Sequence, residues 1–229
     1  MIAKHRPEEM SAPVIAIDGP SASGKGTVAE QVAQALGFRY LDSGALYRLV
    51  TLAALKGRAS LDDPASLERT AREMAVEFRD GATWLDGADV TQEVRTEAVS
   101  AAASRVAAIP GVRTALLERQ RGFRRPPGLV ADGRDMGSVV FPDAPLKVYL
   151  TADVDARAER RYKQLMAKGM YAKMQDVVEE LRRRDERDTS RAVAPLKHYP
   201  DAIFLDTTGL SVDQAVQRIL GWWRERAPR

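Results

Sequence analysis

Residues 14–36 read VIAIDGPSASGKGTVAEQVAQAL, and this stretch decides the fold class. The apolar run 14–17 predicts a buried β-strand, and apolar residues at helical spacing from Thr27 to Leu36 predict a helix. The loop between them, 19–25, matches the pattern G-x-x-x-x-G-K. In such a loop the backbone N–H groups point inward at phosphate oxygens, and the lysine adds a mobile positive charge. The order strand, glycine-rich loop, helix therefore predicts a phosphate-binding α/β fold.

One position departs from the commonest form of this loop. The residue after Lys25 is Gly26, and the hydroxyl group falls on Thr27. Switch GTPases and most ATPases carry the magnesium-ligating hydroxyl directly after the lysine. The displaced hydroxyl therefore argues against a GTPase switch.

The rest of the chain alternates predicted strands with predicted helices. Further strands are expected at 39–42, 129–131, 146–150 and 203–206, and this alternation predicts a parallel sheet covered by helices on both faces. Residues 57–95 differ, because they carry signals for two short strands near 76–78 and 83–85 and predict an inserted hairpin. We expect an N-terminal tail at 1–12 and a single domain over 13–229.

Composition excludes several kinds of chemistry. The 229 residues include no cysteine and only two histidines, which rules out disulfides, thiolate nucleophiles and cysteine–zinc sites. No apolar run is long enough to span a membrane, and the N-terminus lacks the apolar region of a secretory signal, so we expect a cytoplasmic protein without membrane contact. The net charge of +3 reflects 35 basic against 32 acidic residues, which is weak evidence for nucleic-acid binding.

Five segments together resemble the bacterial cytidylate (CMP) kinases, which are P-loop nucleoside monophosphate kinases. The resemblance covers about residues 13–225, and the order Gly-Lys-Gly-Thr at 24–27 is itself typical of nucleoside monophosphate kinases. The segments are IDGPSASGKGT (17–27), YLDSGALYR (40–48), DVTQEVRTEAVSAAASRVAAIPGVR (89–113), ADGRDMGSVVFPDA (131–144) and RRRDERDTSRAVAPLK (182–197).

The resemblance implies transfer of the γ-phosphoryl group of ATP to CMP or dCMP, giving CDP or dCDP and ADP. It implies a P-loop kinase core with a parallel sheet flanked by helices, an inserted monophosphate-binding subdomain at about 57–95 and a helical lid at about 155–190. Mg²⁺ is the implied cofactor, and we expect a monomer that acts on small molecules and does not bind nucleic acid.

The implied ATP site centres on the phosphate loop. Its residues are Gly19, Pro20, Ser21, Ala22, Ser23, Gly24, Lys25, Gly26 and Thr27. At the base of the lid Arg157, Arg160 and Arg161 follow one another at helical spacing, and one or two of them are expected to close on ATP. Arg157 and Arg161 are assigned to it, and which of the three contact ATP stays open. No direct metal ligand is expected, and Thr27 and Asp132 are assigned to magnesium through water. The alternative for Asp132 is a purely structural acid at a strand end.

The resemblance also assigns the CMP site. Ser43, Tyr47 and Arg48 would hold the CMP phosphate near the start of a helix, although a capped helix with a packed tyrosine is an alternative. Cytosine offers two acceptors and one amino donor, so its site needs both donors and acceptors. The residues assigned to the base are Arg113 as donor, Asp135 and Ser104 as acceptors, and Arg95 as a second reader or support.

Charge stabilisation is assigned to Lys25, Arg134, Arg184 and Arg191. Asp188 is assigned to a ribose hydroxyl, and Arg134 and Arg191 are also assigned to substrate binding. The alternative for Arg184 and Asp188 is an i,i+4 salt bridge with each other on the protein surface. The acceptor is a phosphate oxygen that is largely ionised at neutral pH, so no general base is required.

Two rival functions stay open at this stage. One is a kinase for another monophosphate such as UMP or AMP, which relative rates on these substrates would distinguish. The other is an RNA-binding module that uses the loop as a switch, which predicts slow hydrolysis and strong, salt-dependent RNA affinity.

Overall fold

The structure is a computed structural model that describes residues 12–79 and 81–227. These residues divide into two compact units. The first comprises the chain up to Asp42 and from Arg121 onward, and the second comprises Ser43–Gln120. Of the tail expected at 1–12, all but Ala12 lies outside the described residues. The boundaries predicted for the inserted subdomain and the lid stay predictions.

Strands and helices alternate along most of the chain. The strands are β1 (Val14–Asp18), β2 (Arg39–Asp42), β3 (Val76–Arg79), β4 (Ala82–Leu85), β5 (Ala88–Asp89), β6 (Leu129–Gly133), β7 (Leu146–Thr151) and β8 (Ile203–Asp206). The α-helices are α1 (Lys25–Leu36), α2 (Ser43–Ala53), α3 (Pro64–Glu73), α4 (Glu97–Val106), α5 (Pro110–Arg121), α6 (Val154–Ala167), α7 (Met174–Ser190) and α8 (Val212–Arg226). No helix among the described residues is long and apolar enough to cross a membrane.

The first unit is built on a five-stranded parallel sheet in the order β2-β6-β1-β7-β8, which confirms the predicted fold class. The central strand β1 is buried along its whole length, as expected for a strand covered on both faces. Ile15 and Ile17 of this strand share a core with Val32 of α1 and with Ile219 and Trp223 of α8. This packing holds the start of α1 at the carboxyl edge of the sheet, where α/β folds bind ligands.

Helices α6 and α7 also belong to the first unit and pack against each other. Ala158 and Leu165 of α6 form a small apolar cluster with Val177 and Leu181 of α7, and Ala22 of the phosphate loop packs against that cluster. The two helices are separated by a turn at Gly169, where the sequence predicts a break. The pair therefore has a core of its own, distinct from that of the sheet.

The second unit combines helices with a three-stranded antiparallel sheet in the order β3-β4-β5. The predicted hairpin is confirmed as β3 and β4, whereas the two-residue strand β5 was not foreseen. Asp63 caps α3, since its carboxylate accepts hydrogen bonds from the N–H groups of Ala65 and Ser66, with Pro64 at the first helical position. Helix α2 packs against α3 and α4.

Three element boundaries differ from the sequence-based expectation in ways that affect the site. Strand β6 continues through Asp132 and Gly133, which were expected in a loop. Helix α2 begins at Ser43 itself, where a capping residue was considered. Helix α7 ends at Ser190, so Arg191 lies beyond the helix in extended conformation and not on its continued face. Pairing with β1 and β2 explains the longer β6, since ladder hydrogen bonds override the local glycine signal.

Candidate active site

The phosphate loop connects β1 to α1 and passes so close to β7 that there is no room for a side chain at its first position. A Cβ atom on Gly19 would lie 1.9 Å from the carbonyl oxygen of Leu150, so only glycine lets the chain pass β7 at this point. Ser23 is buried, and its Oγ has no hydrogen-bond partner among the described residues. A buried hydroxyl without a partner at the N-terminal end of a helix suits an anionic oxygen.

Lys25, the first residue of α1, is held inside the loop. Its Nζ donates to the carbonyl oxygen of Pro20 at 3.2 Å and lies 3.9 Å from Oδ1 of Asp132. Burial and, second, the nearby Arg134 lower the pKa of Lys25 to about 8, although Asp132 opposes both. An ammonium group that lacks full compensation in this way gains from the arrival of a phosphate.

Glycine follows Lys25 where related loops carry serine or threonine, and the space around Gly26 is narrow. Tyr40 of β2 donates a hydrogen bond to Oδ2 of Asp132 at 3.3 Å. A Cβ on Gly26 would lie 3.2 Å from the same Oδ2 and 3.5 Å from the Tyr40 hydroxyl oxygen. Glycine therefore fits the space beside this pair better than any residue with a side chain, and the next hydroxyl along the chain is on Thr27.

Two of the predicted catalytic arginines, Arg134 and Arg191, form a network with two acids. Nε of Arg134 donates to Oδ2 of Asp188 at 2.9 Å, and Nη2 of Arg134 donates to Oγ of Ser21 at 2.9 Å. Arg191 lies 4.0 Å from Oδ1 of Asp188 and 3.7 Å from Oδ1 of Asp135. Although burial alone would raise it, Arg134 holds the pKa of Asp188 below its usual value. Asp188 is thus an ionised partner of two arginines.

Positive charge converges further on Arg184 of α7. Burial lowers the pKa of Arg184, and the positive charges of Arg134 and Arg161 lower it further, while Glu180 at 3.6 Å opposes them. An arginine whose pKa is lowered by neighbouring positive charges would be stabilised by a bound anion. Arg134 and Arg161 thus lie near enough to Arg184 to act on its charge, whereas Arg157 donates to protein acceptors, and the assigned contacts of these arginines with ligands stay predictions.

A cavity of about 360 Å³ lies beside the phosphate loop. It is lined by residues of α1, α6 and the segment that follows β8, among them Thr27, Arg160, Gln164, Thr207 and Val212. Its volume lies in the range of pockets that bury small ligands. Arg160 also anchors this wall, because it donates to the carbonyl oxygens of Ser23 and Thr207.

The predicted residues of the second unit lie on α2, α4, α5 and a short turn. The guanidinium carbon of Arg113, on α5, lies 5.6 Å from the ring centroid of Tyr47, on α2, and Nη1 of Arg113 donates to the carbonyl oxygen of Ala107 at 3.1 Å. Ser43 is buried at the start of α2, and Ser104 is half-buried on α4. Tyr47 is therefore packed as the structural alternative predicted, and this packing leaves its assigned role untested.

Two predicted residues of this unit remain, Arg95 and Arg48. Arg95 is exposed in the single turn of 3₁₀-helix Glu93–Arg95, and Arg48 is half-buried on α2. Their assigned contacts with CMP stay predictions, as do those of Ser43 and Ser104.

Comparison with known proteins agrees with this geometry. Over residues 15–225 the sequence matches the protein family described as Cytidylate kinase. This chain belongs to the cytidylate kinase family. A cytidylate kinase from Nitrosomonas europaea is 57% identical over 218 residues, which cover 95% of this chain and 98% of that protein. One from Bordetella bronchiseptica is 58% identical over 215 residues, which cover 93% and 96% of the two chains.

The family establishes the reaction. The chain is a kinase that transfers a phosphoryl group from ATP to CMP or dCMP. Among solved structures, an uncharacterized protein from Eubacterium ventriosum matches 94% of this chain and 100% of its own with a TM-score of 0.54. At 12% identity that likeness concerns the fold alone.

Three side chains that organise the site of this cytidylate kinase were not found by sequence reasoning. The carboxylate of Asp18 accepts hydrogen bonds from the backbone N–H groups of Met136 and Gly137 and so holds the segment that follows Arg134 and Asp135. Tyr40 orients Asp132, and Thr207 donates to the carbonyl oxygen of Ser23 at 3.2 Å. Among the three, only Asp18 had a sequence signal, since it is an acidic residue at the end of the strand that leads into the phosphate loop. The partners lie far away in the chain and could not be read from local spacing.

Proposed function

We propose that this cytidylate kinase holds the triphosphate of ATP on its phosphate loop and the adenosine in the adjoining cavity. Lys25 lies inside the loop, and Ser23 offers a buried hydroxyl that has no hydrogen-bond partner in the described part of the chain. The cavity next to Thr27 and Arg160 continues from the loop and has room for a nucleoside. The single observation that carries the proposal is that the cavity adjoins the phosphate-binding loop.

The proposed chemistry is in-line transfer without a general base. An oxygen of the CMP phosphate attacks the γ-phosphorus of ATP, the bond from that phosphorus to the β–γ bridging oxygen breaks, and ADP leaves with the electron pair. Negative charge on the transferring group is stabilised by Lys25, Arg134, Arg184 and Arg191. The positive charges of Arg134 and Arg161, which lower the pKa of the largely buried Arg184 beyond the effect of burial, support the assignment of Arg184.

Binding of CMP is assigned residue by residue. In the second unit, Arg48 and the N-terminal turn of α2 with Ser43 and Tyr47 hold the phosphate, and Arg113, Ser104 and Arg95 read the base. In the first unit, Asp135 accepts from the cytosine amino group, and Asp188 accepts from a ribose hydroxyl. The buried carboxylates of Asp135 and Asp188, each beside Arg191, support the second group of assignments.

Mg²⁺ is the proposed cofactor, and the residues present fit it. Oδ1 of Asp132 is buried and has no hydrogen-bond partner among the described residues, and Tyr40 holds the other oxygen in place. Asp132 and Thr27 would hold the ion through water. When bound, Mg²⁺ neutralises charge on the β- and γ-phosphates of ATP.

Closure, location and assembly complete the proposal. Helices α6 and α7 act as a lid that excludes water, since open solvent would hydrolyse ATP without transfer. The proposed location is the cytoplasm, where ATP and CMP are available, and the proposed form is a monomer without nucleic-acid partners. The near balance of 35 basic and 32 acidic residues supports the last point.

The test is ADP release with CMP, dCMP, UMP and AMP as acceptors at saturating ATP and Mg²⁺. We expect the highest kcat/KM for CMP or dCMP. An equal or higher value for UMP or AMP would contradict the assigned base-reading residues. Light scattering of the purified enzyme checks the monomer.

A further inference from the structure

Ala22, in the middle of the phosphate loop, has a backbone conformation that alanine avoids. Its φ is +58°, which lies in the left-handed region. For a residue with a Cβ atom this region is disfavoured by about 5- to 30-fold in population. Unlike Gly24, which has φ +89° in the same loop, Ala22 needs its surroundings to hold it there.

The carbonyl groups of the residues before and after Ala22 are held by arginines of α6. Nη1 of Arg157 donates to the carbonyl oxygen of Ser21 at 3.1 Å, and Nη1 of Arg160 donates to that of Ser23 at 2.9 Å. In a trans peptide the C=O and the following N–H point in opposite directions. Holding the Ser21 carbonyl therefore turns the N–H of Ala22 away from Arg157. In the same way, holding the Ser23 carbonyl turns the N–H of Gly24 away from Arg160.

Arg157 is itself fixed by two other elements. Nε donates to the carbonyl oxygen of Ala152, just after β7, at 2.9 Å, and Nη2 donates to Oδ2 of Asp185 on α7 at 2.7 Å. All three guanidinium nitrogens thus donate to protein acceptors, and the residue is only 6% exposed. A side chain so placed has little freedom to reach out to a ligand.

We infer that Arg157 is a positioning residue for ATP, which acts by holding the phosphate loop in its strained conformation. The loop's N–H groups are then aimed before ATP arrives, so binding does not have to reorganise them. The inference rests on the proposed function only in that the loop binds ATP. For Arg157, this role replaces the direct contact with ATP that the family resemblance implies. It depends on the hydrogen bond from Arg157 to the Ser21 carbonyl, which has no part in the proposed mechanism.

The test removes Arg157 without leaving an uncompensated charge. Arg157→Met alone would deprive the half-buried Asp185 of its ion pair, which is strongly destabilising, so Asp185→Leu is made together with it. We expect the double variant to bind a non-hydrolysable ATP analogue about tenfold more weakly than wild type, since one charged hydrogen bond to the loop is lost. Its affinity for CMP should stay within about twofold. Calorimetric titration measures both affinities, and the melting temperature shows whether the variant is folded.

Ala22→Gly separates action through the loop from direct contact. Glycine adopts a left-handed conformation without strain, so a loop with glycine at this position depends less on Arg157. With Ala22→Gly as the reference, we expect the Arg157→Met/Asp185→Leu pair to weaken analogue binding by about threefold or less. Arg183→Met is the matched control, because Arg183 is an exposed arginine of α7 whose recorded partners, the Glu179 carboxylate and backbone carbonyl, lie on the same helix. Analogue binding should be unchanged in that variant.

Two results would overturn the inference. An equal loss with alanine and with glycine at position 22 would mean that Arg157 acts on ATP independently of the loop's strain. No loss in either background would mean that the contact with Ser21 has no part in binding. Analogue binding is measured without CMP, so both results are distinct from failure of the proposed function, which would appear as no CMP-dependent ADP release by wild type.

Discussion

The carboxylate of Asp18, at the end of β1, accepts a hydrogen bond from the backbone N–H of Met136 at 2.7 Å. Its other oxygen accepts from Gly137 at 2.9 Å. Burial, although opposed by the two N–H donors, raises the pKa of Asp18 to about 7, with smaller contributions from the negative charges of Asp135 and Asp132. The segment that carries Arg134 and Asp135 is thus held by a buried carboxylate that titrates near neutral pH.

This pKa predicts how stability depends on pH. The folded value lies above the ordinary 3.8, so between about pH 4 and 7 the folded state holds a proton on Asp18 that the unfolded state lacks. Stability from this group is therefore present at low pH and is lost as pH rises through about 7, with a slope of about 1.4 kcal/mol per pH unit below it. Asp18→Asn removes that contribution.

We expect the free energy of unfolding of wild type relative to Asp18→Asn to increase as the pH falls from 8.5 to 5.5. Urea unfolding of both proteins at each pH measures the difference, and the other titrating groups cancel in it. A difference that stays constant on acidification would show that Asp18 has an ordinary pKa, and one that shrinks would show that folding lowers it.

Lys25→Ala is predicted to lower kcat by on the order of 10³-fold or more, because it removes a positive charge from a buried site where the γ-phosphoryl group is transferred. Affinity for CMP should change little. Lys56→Ala is the control, since Lys56 is exposed and pairs with Glu93 in the second unit. A folded Lys25→Ala enzyme with more than about a tenth of wild-type kcat would contradict the assignment of residues 19–25 as the ATP phosphate-binding loop.

Lid closure predicts a change in amide exchange. With an ATP analogue and CMP bound together, residues of about 155–190 should exchange more slowly than with either ligand alone, because closure protects the backbone of α6 and α7. Hydrogen–deuterium exchange with peptide-level mass spectrometry measures this. Equal exchange in the free and the doubly liganded enzyme would identify α6 and α7 as a static helical pair.

Base choice is predicted to depend on Asp135. The cytosine amino group is a donor, whereas uracil has a carbonyl acceptor at the same place, so a buried carboxylate favours cytosine by on the order of 1–3 kcal/mol or more. Asp135→Asn keeps the shape and offers an NH₂ group to the uracil carbonyl. It should lower kcat/KM for CMP and narrow the ratio of CMP to UMP.

The measurement is kcat/KM for CMP and UMP at saturating ATP, in wild type and Asp135→Asn. Asp143→Asn is the control, because Asp143 is an exposed carboxylate paired with Arg124. If Asp135→Asn left the ratio unchanged, specificity would have to rest on Arg113 and the shape of the pocket.

Local sequence patterns were enough to predict the phosphate loop and the class of sheet. The apolar run at 14–17 forms β1, the glycine-rich loop follows it, and α1 begins at Lys25, two residues before the expected start. Such features depend on residues that are neighbours in the chain, so their spacing carries the information. Strand β5 was missed because two residues are too short to show a period.

What the site residues do was decided by contacts between distant parts of the chain. Asp18 and Met136 are 118 residues apart, and Arg157 and Ser21 are 136 apart. The sequence identified Arg157 as a cation near ATP, but only the tertiary structure shows its nitrogens donating to Ser21, Ala152 and Asp185. Composition and spacing determine which charges a chain carries and on which elements they lie. Whether a given arginine faces a ligand or a carbonyl group depends on how those elements pack, because a buried guanidinium donates to whichever acceptors the packing brings within reach.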